Sequence, residues 1–129
     1  MKLPFKSALV TGGAGFIGSH LVEALIIAGC RVAVLDNLSS GNYNNLKHLS
    51  GKFNFFQDDI RNQKALIVAA QDCEVIFHLA AVVSVPQTIE NPIESAAINE
   101  LGTLSVFETA RKKKGAARCF FQLLCGIWR

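Results

Sequence analysis

Three glycines at three-residue intervals, Gly12, Gly15 and Gly18, follow the apolar run Ser7-Ala8-Leu9-Val10-Thr11. At such a junction one glycine permits a tight turn, one lets backbone approach an anionic group, and one lets helix pack closely on strand. A helix opening there presents free N–H groups and the positive end of its dipole, which suits a phosphate. An acid, Asp36, ends the next apolar run. It stands about 20 residues beyond the glycines, where a carboxylate bonds the hydroxyls of an adenosine ribose. Together these residues read as a cradle for a dinucleotide. A carboxylate at Asp36 would repel a 2′-phosphate, so NAD is expected over NADP. A nucleoside-triphosphate loop is excluded, because no Gly-Lys-Ser/Thr follows the glycines.

Other chemistry-bearing residues form weaker patterns. His20, His48 and His78 are far apart, and no serine or cysteine is placed beside one of them. His78 lies inside an apolar run and reads as a satisfied core residue. Asp58 and Asp59 are neighbours, and neighbours on a strand point to opposite faces, so they make a poor acid–base pair. Cys30, Cys73, Cys119 and Cys125 fit neither a zinc nor a C-x-x-C spacing. No metal site is expected, and the four read as reduced thiols of a cytoplasmic protein.

The elements that must position the cradle follow from the apolar pattern. Strands are predicted at Ser7–Thr11, Arg31–Asp36, Phe53–Gln57 and Val75–Leu79. Helices are predicted from about Phe16 to Ala28, from Gln63 to Ala70, and from about Ile93 to Lys113. The first should bury Ile17, Leu21, Leu25 and Ala28, with Gly29 closing it. The last should bury Ile98, Leu101, Leu104, Val106 and Phe107. Asn37 to Asn45, rich in Asn, Ser and Gly, is predicted as loop. Strands alternating with helices give an α/β fold, a doubly wound parallel sheet of the Rossmann type. Right-handed crossovers give the order 3-2-1-4 for these four strands.

The 129 residues suffice for one domain, and half of them are apolar, so a packed core is expected. The net charge is +3, part of it from the run Arg111-Lys112-Lys113-Lys114. That run ends a predicted helix, where cations complement exposed carbonyls, so nucleic acid is not an expected partner. Met1 to Lys6 lacks the apolar core of a signal peptide. No apolar stretch reaches the ~20 residues needed to span a bilayer, so no membrane association is expected.

The run Thr11-Gly12-Gly13-Ala14-Gly15-Phe16-Ile17-Gly18, with Ser19-His20 after it, resembles the extended short-chain dehydrogenase/reductase family. The resemblance continues through Leu35-Asp36-Asn37-Leu38-Ser39-Ser40-Gly41 and Gln57-Asp58-Asp59-Ile60-Arg61. It runs on through His78-Leu79-Ala80-Ala81 and Asn99-Glu100-Leu101-Gly102-Thr103. Within the family, the Asp-Asn loop and Ser84-Val85-Pro86-Gln87 look most like nucleotide-sugar 4-epimerases. The resemblance implies NAD as cofactor, held by Gly12, Gly15, Phe16, Ile17 and Gly18 and, at the adenosine, by Asp36, Asn37, Ser40 and Gly41. It further implies Asp59 and Ile60 at the adenine, with Leu79, Ala80, Ala81 and Asn99 completing the site. Asp58 stands where the family has a glycine. A nucleotide-sugar is implied as substrate only for the full-length family.

The one tyrosine of these residues, Tyr43, lies in the adenosine loop, so the Tyr-x-x-x-Lys spacing it makes with Lys47 is not read as the family's catalytic pair. No catalytic residue is therefore assigned, and the chain is expected to be inactive alone. A non-catalytic module that binds NAD or a partner is the alternative, and an enzyme whose base comes from a second polypeptide is another. Residues 1–117 read as the N-terminal part of the NAD-binding domain, and residues 118–129 as an aberrant tail. Arg118 to Trp128 can be encoded by codons whose next frame reads Gly-Val-Phe-Ser-Ser-Ser-Ser-Ala-Ala-Tyr-Gly, which resembles the family's fifth strand. A frameshift near Ala116 to Arg118 is the expectation. A sheet truncated after four or five strands would leave strand four uncovered, so self-association through that edge is expected. Phe120, Phe121, Leu123, Leu124 and Trp128 are the expected contact residues.

Overall fold

The computed structural model describes residues 2–82, 84–113 and 118–121. Its strands are β1 (Ser7–Thr11), β2 (Arg31–Leu35), β3 (Phe53–Phe56), β4 (Val75–His78) and β5 (Arg118–Phe121). All pair in parallel, in the order β3-β2-β1-β4-β5. The helices are α1 (Phe16–Ile27), α2 (Gln63–Ala70), α3 (Val85–Glu90), α4 (Pro92–Ala96) and α5 (Gly102–Lys112). The predicted order 3-2-1-4 is present, and β5 extends it.

Every residue of β1 is buried, because helices cover both sheet faces and no strand side is left for water. Alternation divides the core in two. Ala8 and Val10 pack with Val22, Leu25, Val32, Val34 and Leu49. Leu9 packs on the other side with Leu35, Ile60, Leu66, Ile76 and Val106. The carboxyl ends of β1, β2 and β4 thus emerge together at one rim, where a doubly wound sheet places its ligands.

The structure departs from the sequence expectations in four places. First, α1 buries Gly18, Ser19, Val22 and Leu25, while Ile17 is exposed. Gly18 must touch the glycine turn, and that contact rotates the helix. Second, the segment 93–113 is not one helix. Proline-led α4 passes into a π-helical turn at Ala97–Leu101 and then into α5. The wider turn shifts the phase of the apolar pattern, so α5 buries Gly102, Val106, Thr109 and Ala110, while Leu101 of the turn and Leu104 of α5 are exposed.

Third, the basic run does not simply neutralise its own helix end. Lys113 Nζ donates to the carbonyls of Ala70, the last residue of α2, and of Cys73 beyond it, whereas Arg111 and Lys112 pair with Glu108. Fourth, β4 is not a sheet edge: Val75 to His78 pair with Arg118 to Phe121. The short run Arg118-Cys119-Phe120-Phe121 suffices for backbone pairing, which moves the edge outward to β5. The predicted tail contacts at Leu123, Leu124 and Trp128 lie outside the described residues, as do the side chains of Phe120 and Phe121.

Candidate functional site

The glycine turn joins β1 to α1 at that rim. Gly12 has φ +70°, and its N–H donates to the Leu35 carbonyl at 2.9 Å. A Cβ there would lie 2.7 Å from the Ala80 nitrogen, so the turn touches the segment after β4 directly. A Cβ on Gly18 would lie 2.2 Å from the Gly12 carbonyl oxygen, which leaves room for hydrogen only. Gly15 differs. Its φ of −77° and ψ of 178° suit any residue, and a Cβ would meet one atom alone, the Gly12 oxygen at 3.3 Å. That contact is tight but small beside the clashes at Gly12 and Gly18, so packing demands a glycine far less at this position. Gly15 precedes α1 with no side-chain cap, whereas Asn62 caps α2 and Ser84 caps α3.

Asp36 follows β2 and is 8% exposed. Its Oδ2 accepts the Ala14 N–H at 3.0 Å and its Oδ1 accepts the Leu38 N–H at 2.8 Å. The loop after it is more ordered than the sequence suggests. Leu38 adopts φ +61°, Asn37 Oδ1 accepts the Ser39 N–H, and short 3₁₀ turns run over Tyr43–Asn45 and Lys47–Leu49. The Ala14 carbonyl accepts from Asn42 N–H and from Asn45 Nδ2, at 3.1 and 2.8 Å. One carbonyl of the glycine turn thereby anchors the far end of the loop, at Asn42 and Asn45.

Beyond β3, Asp59 is held by Arg61 through a two-point ion pair at 2.8 and 2.9 Å. Hydrogen bonds from the Arg61 side chain hold the Asp59 carboxyl below the usual carboxylate range. Asn37 Nδ2 also donates to Asp59, at 3.5 Å. Asp58 accepts from Asp59 N–H and from Asn62 Nδ2, so the residue in the place of a glycine serves the turn itself.

After β4, Leu79 to Val82 form the floor. Thr11 Oγ1 lies 2.6 Å from His78 Nδ1, and His78 Nε2 lies 3.0 Å from Thr103 Oγ1. Burial pushes the His78 imidazole down to about 4, so the ring is neutral. Asn99 grips Val82 from both sides: its Oδ1 accepts the Val82 N–H at 2.7 Å and its Nδ2 donates to the Val82 carbonyl at 3.1 Å.

These segments enclose a cleft of about 350 Å³, within the range usual for small-molecule sites. Gly12, Gly15, Phe16, Ile17, Gly18, Asp36, Asn37, Ser40, Gly41, Asp59, Ile60, Leu79, Ala80 and Ala81 all line it. Of the residues singled out in the sequence, Asn99 does not. It stands behind the floor and acts on the site through Val82. Leu35, Ser39, Asp58, Val82 and Ile98 line the cleft without having been assigned to the cofactor. Their adjacency to Asp36, Ser40, Asp59 and Ala81 was the available signal, and Ile98 had been assigned to the core alone. Among the described residues no three His, Cys, Asp or Glu side chains gather as a metal site, and no helix is long and apolar enough to cross a membrane.

A parallel sheet with an uncapped helix after a glycine turn and an acid after the adjoining strand defines a dinucleotide-binding fold of the Rossmann type. Residues 9–124 match the family model of GDP-mannose 4,6 dehydratase, and the chain belongs to that family of NAD-dependent epimerases and dehydratases. It is 45% identical over 106 residues to the UDP-glucose 4-epimerase of Mycolicibacterium smegmatis, covering 80% of this chain and 34% of that protein. The crystal structure of the Thermotoga maritima UDP-glucose 4-epimerase with UDP-glucose superposes with a TM-score of 0.81 at 38% identity, over 89% of this chain and 37% of that one. The Thermus thermophilus UDP-glucose 4-epimerase complex with NAD gives a TM-score of 0.74 at 40% identity, over 81% and 33%. The chain therefore spans about a third of the length of these relatives.

Proposed function

We propose that this chain forms the NAD-binding part of a nucleotide-sugar epimerase or dehydratase and performs no turnover by itself. The observation that carries this reading is Gly15. A methyl there would need the Gly12 carbonyl to yield by only a few tenths of an ångström, so packing is a weak reason for the glycine and a ligand that needs the space is a better one. The first-turn N–H groups of α1 would hold the pyrophosphate. Asp36 would bond the ribose, with Asn37, Ser40 and Gly41 around the adenosine and Asp59 and Ile60 at the adenine. Leu79, Ala80 and Ala81, small or flat against the glycine turn, would leave room for the rest of the molecule, and Asn99 would steady that floor. When bound, NAD supplies the hydride acceptor of the family's chemistry. Tyr43 and Lys47 make the one Tyr-x-x-x-Lys spacing in these 129 residues, but neither lines the cleft, so no proton-handling pair is assigned. Buried free thiols at Cys30 and Cys73 support a reducing, cytoplasmic setting.

The family model bears the name of a dehydratase and the relatives that of epimerases, so this part of the chain suits either reaction. Calorimetric titration with NAD and NADP, beside a turnover assay on UDP-sugars, tests the reading. NAD binding with NADP at least tenfold weaker, and no turnover, is expected. No binding at millimolar NAD, or epimerisation by the purified chain, would overturn it. Residues 118–129 we read as an out-of-frame continuation. The gene decides: the next frame across codons 118 to 128 must spell the serine-rich strand.

A further inference from the structure

His78 sits at the carboxyl end of β4, 4% exposed, and both ring nitrogens are engaged. The direction of its hydrogen bonds follows from counting donors. Thr11 Oγ1 accepts from Ala80 N–H at 3.3 Å and from Leu79 N–H at 3.1 Å, the latter shared with the Thr11 carbonyl. With its lone pairs taken, the Thr11 hydroxyl donates its one proton to His78 Nδ1. The ring proton then resides on Nε2 and is donated to Thr103 Oγ1. The Thr103 hydroxyl in turn donates to the Asn99 carbonyl, inside the π-helical turn. Asn99 closes the circuit through its two side-chain bonds to Val82.

We propose that His78 is a positioning residue for the dinucleotide cleft, joining through its Nε2–H tautomer the two anchors of the floor, Thr11 at Leu79–Ala80 and Asn99 at Val82. The inference rests on the dinucleotide-binding reading and names what sets the floor of that same site. A histidine here does what an apolar residue cannot. It accepts on one side and donates on the other, so the start of the floor and the turn behind its end move as one body. Asn99 and Thr103 stand four residues apart, so one face of one segment carries both bonds. The floor has little freedom to find another position, because the Ala80 backbone already touches Gly12.

The test begins with the unaltered chain, labelled with ¹⁵N at histidine, at neutral pH. A bare Nδ1 and a protonated Nε2 at His78 are expected; the opposite tautomer, or a rapidly exchanging mixture, overturns the proposal. Thr103→Val and Thr103→Ser follow, read by amide hydrogen exchange and by NAD titration. In Thr103→Val the amides of Ala80 and Val82 should exchange about tenfold faster and NAD should bind about tenfold more weakly, the scale of one buried hydrogen bond. Thr103→Ser, which restores the hydroxyl, should recover both. Unchanged exchange at Ala80 and Val82 in Thr103→Val overturns the relay. If the unaltered chain binds no NAD, the dinucleotide reading fails, while tautomer and exchange still decide whether His78 couples the two anchors.

Discussion

Asp36 Oδ2 accepts the backbone N–H of Ala14 at 3.0 Å, so the acid that ends the second strand latches the glycine turn of the first. Its other oxygen holds Leu38, and the acid is therefore part of the fold of the cradle as well as a candidate ligand to the ribose. A carboxylate oxygen can accept more than one hydrogen bond, so the two roles are compatible.

That double role predicts that Asp36→Ala destabilises the chain with no dinucleotide present. Hydrogen bonds to a charged group contribute about 1.5–3 kcal/mol each, and the Ala14 N–H would lose its partner in a buried place, so a loss of about 3 kcal/mol is expected. Asp36→Asn keeps one acceptor and should lose about half as much. Urea unfolding of the dinucleotide-free variants measures both. If Asp36→Ala is as stable as the parent, the latch contributes nothing.

Two glycines of the same turn should respond in opposite ways. Gly15→Ala meets only the Gly12 oxygen at 3.3 Å, so unfolding should shift by no more than about 1 kcal/mol, the cost of alanine at a helix cap. NAD affinity should fall at least tenfold, because the new methyl occupies the ligand's space. Gly18→Ala drives a carbon to 2.2 Å from backbone that cannot yield, and should destabilise by about 2–3 kcal/mol or more. Parallel melting and titration of the pair separate a glycine kept for a ligand from one kept for packing. A Gly15→Ala chain that binds NAD normally would remove the main support for the proposed function.

Most of the cleft was legible in the sequence because it depends on local rules. Glycine spacing and an acid at a strand end are readable one element at a time, and parallel strands carry near-continuous apolar runs. What was not legible depends on contacts between elements. On α1 Leu25 was read correctly but Ile17 was not, because Gly18 is buried by a backbone contact that no hydrophobicity pattern records. In the last helical segment Val106 was read correctly but Leu101, Leu104 and Phe107 were not, because the π-helical turn resets the phase before Gly102. Asn99 was read as a cofactor residue, yet its amide matches the N–H and C=O of Val82, and only the fold brings those groups together. Leu38 at φ +61° belongs here too. Nothing local favours leucine in that conformation, and Asp36 Oδ1 together with the core beneath holds it there.

Gly102 and Ile60 form a second close approach that bears on the site. A Cβ on Gly102 would lie 2.5 Å from Ile60 Cδ1, and Ile60 lines the cleft. The obstructing atom is the end of a side chain, so Gly102→Ala should fold, at a cost of about 1–2 kcal/mol for overpacking. Displaced Ile60 should weaken NAD several-fold without reducing the number of sites. The double variant Gly102→Ala with Ile60→Val removes the clashing Cδ1 and should recover part of the loss. Calorimetric titration of parent, single and double variants checks this. Additive rather than compensating effects would show that the two residues do not communicate through that contact.

Acid sensitivity gives the last prediction. His78 is held neutral, with burial moving it from 6.5 to about 4, so the folded state takes up its proton later than the unfolded state does. Between those values the unfolded chain binds more protons, and stability rises with pH. The contribution is complete above about pH 6.5 and is lost progressively as the pH falls toward 4. Its size follows from 1.36 kcal/mol per unit and comes to about 3 kcal/mol. Asp59 changes stability in the same direction but in a lower window: its carboxyl is held below 3.8, so its share is lost only as the pH falls through that region. The two groups are therefore separable. Urea midpoints of the parent should fall between pH 6.5 and 4.5, whereas His78→Gln, less stable at neutral pH, should give a flatter profile over the same interval. A parent profile as flat as that of the variant would show that the imidazole is free to protonate, and that Thr11 and Thr103 do not enclose it in solution.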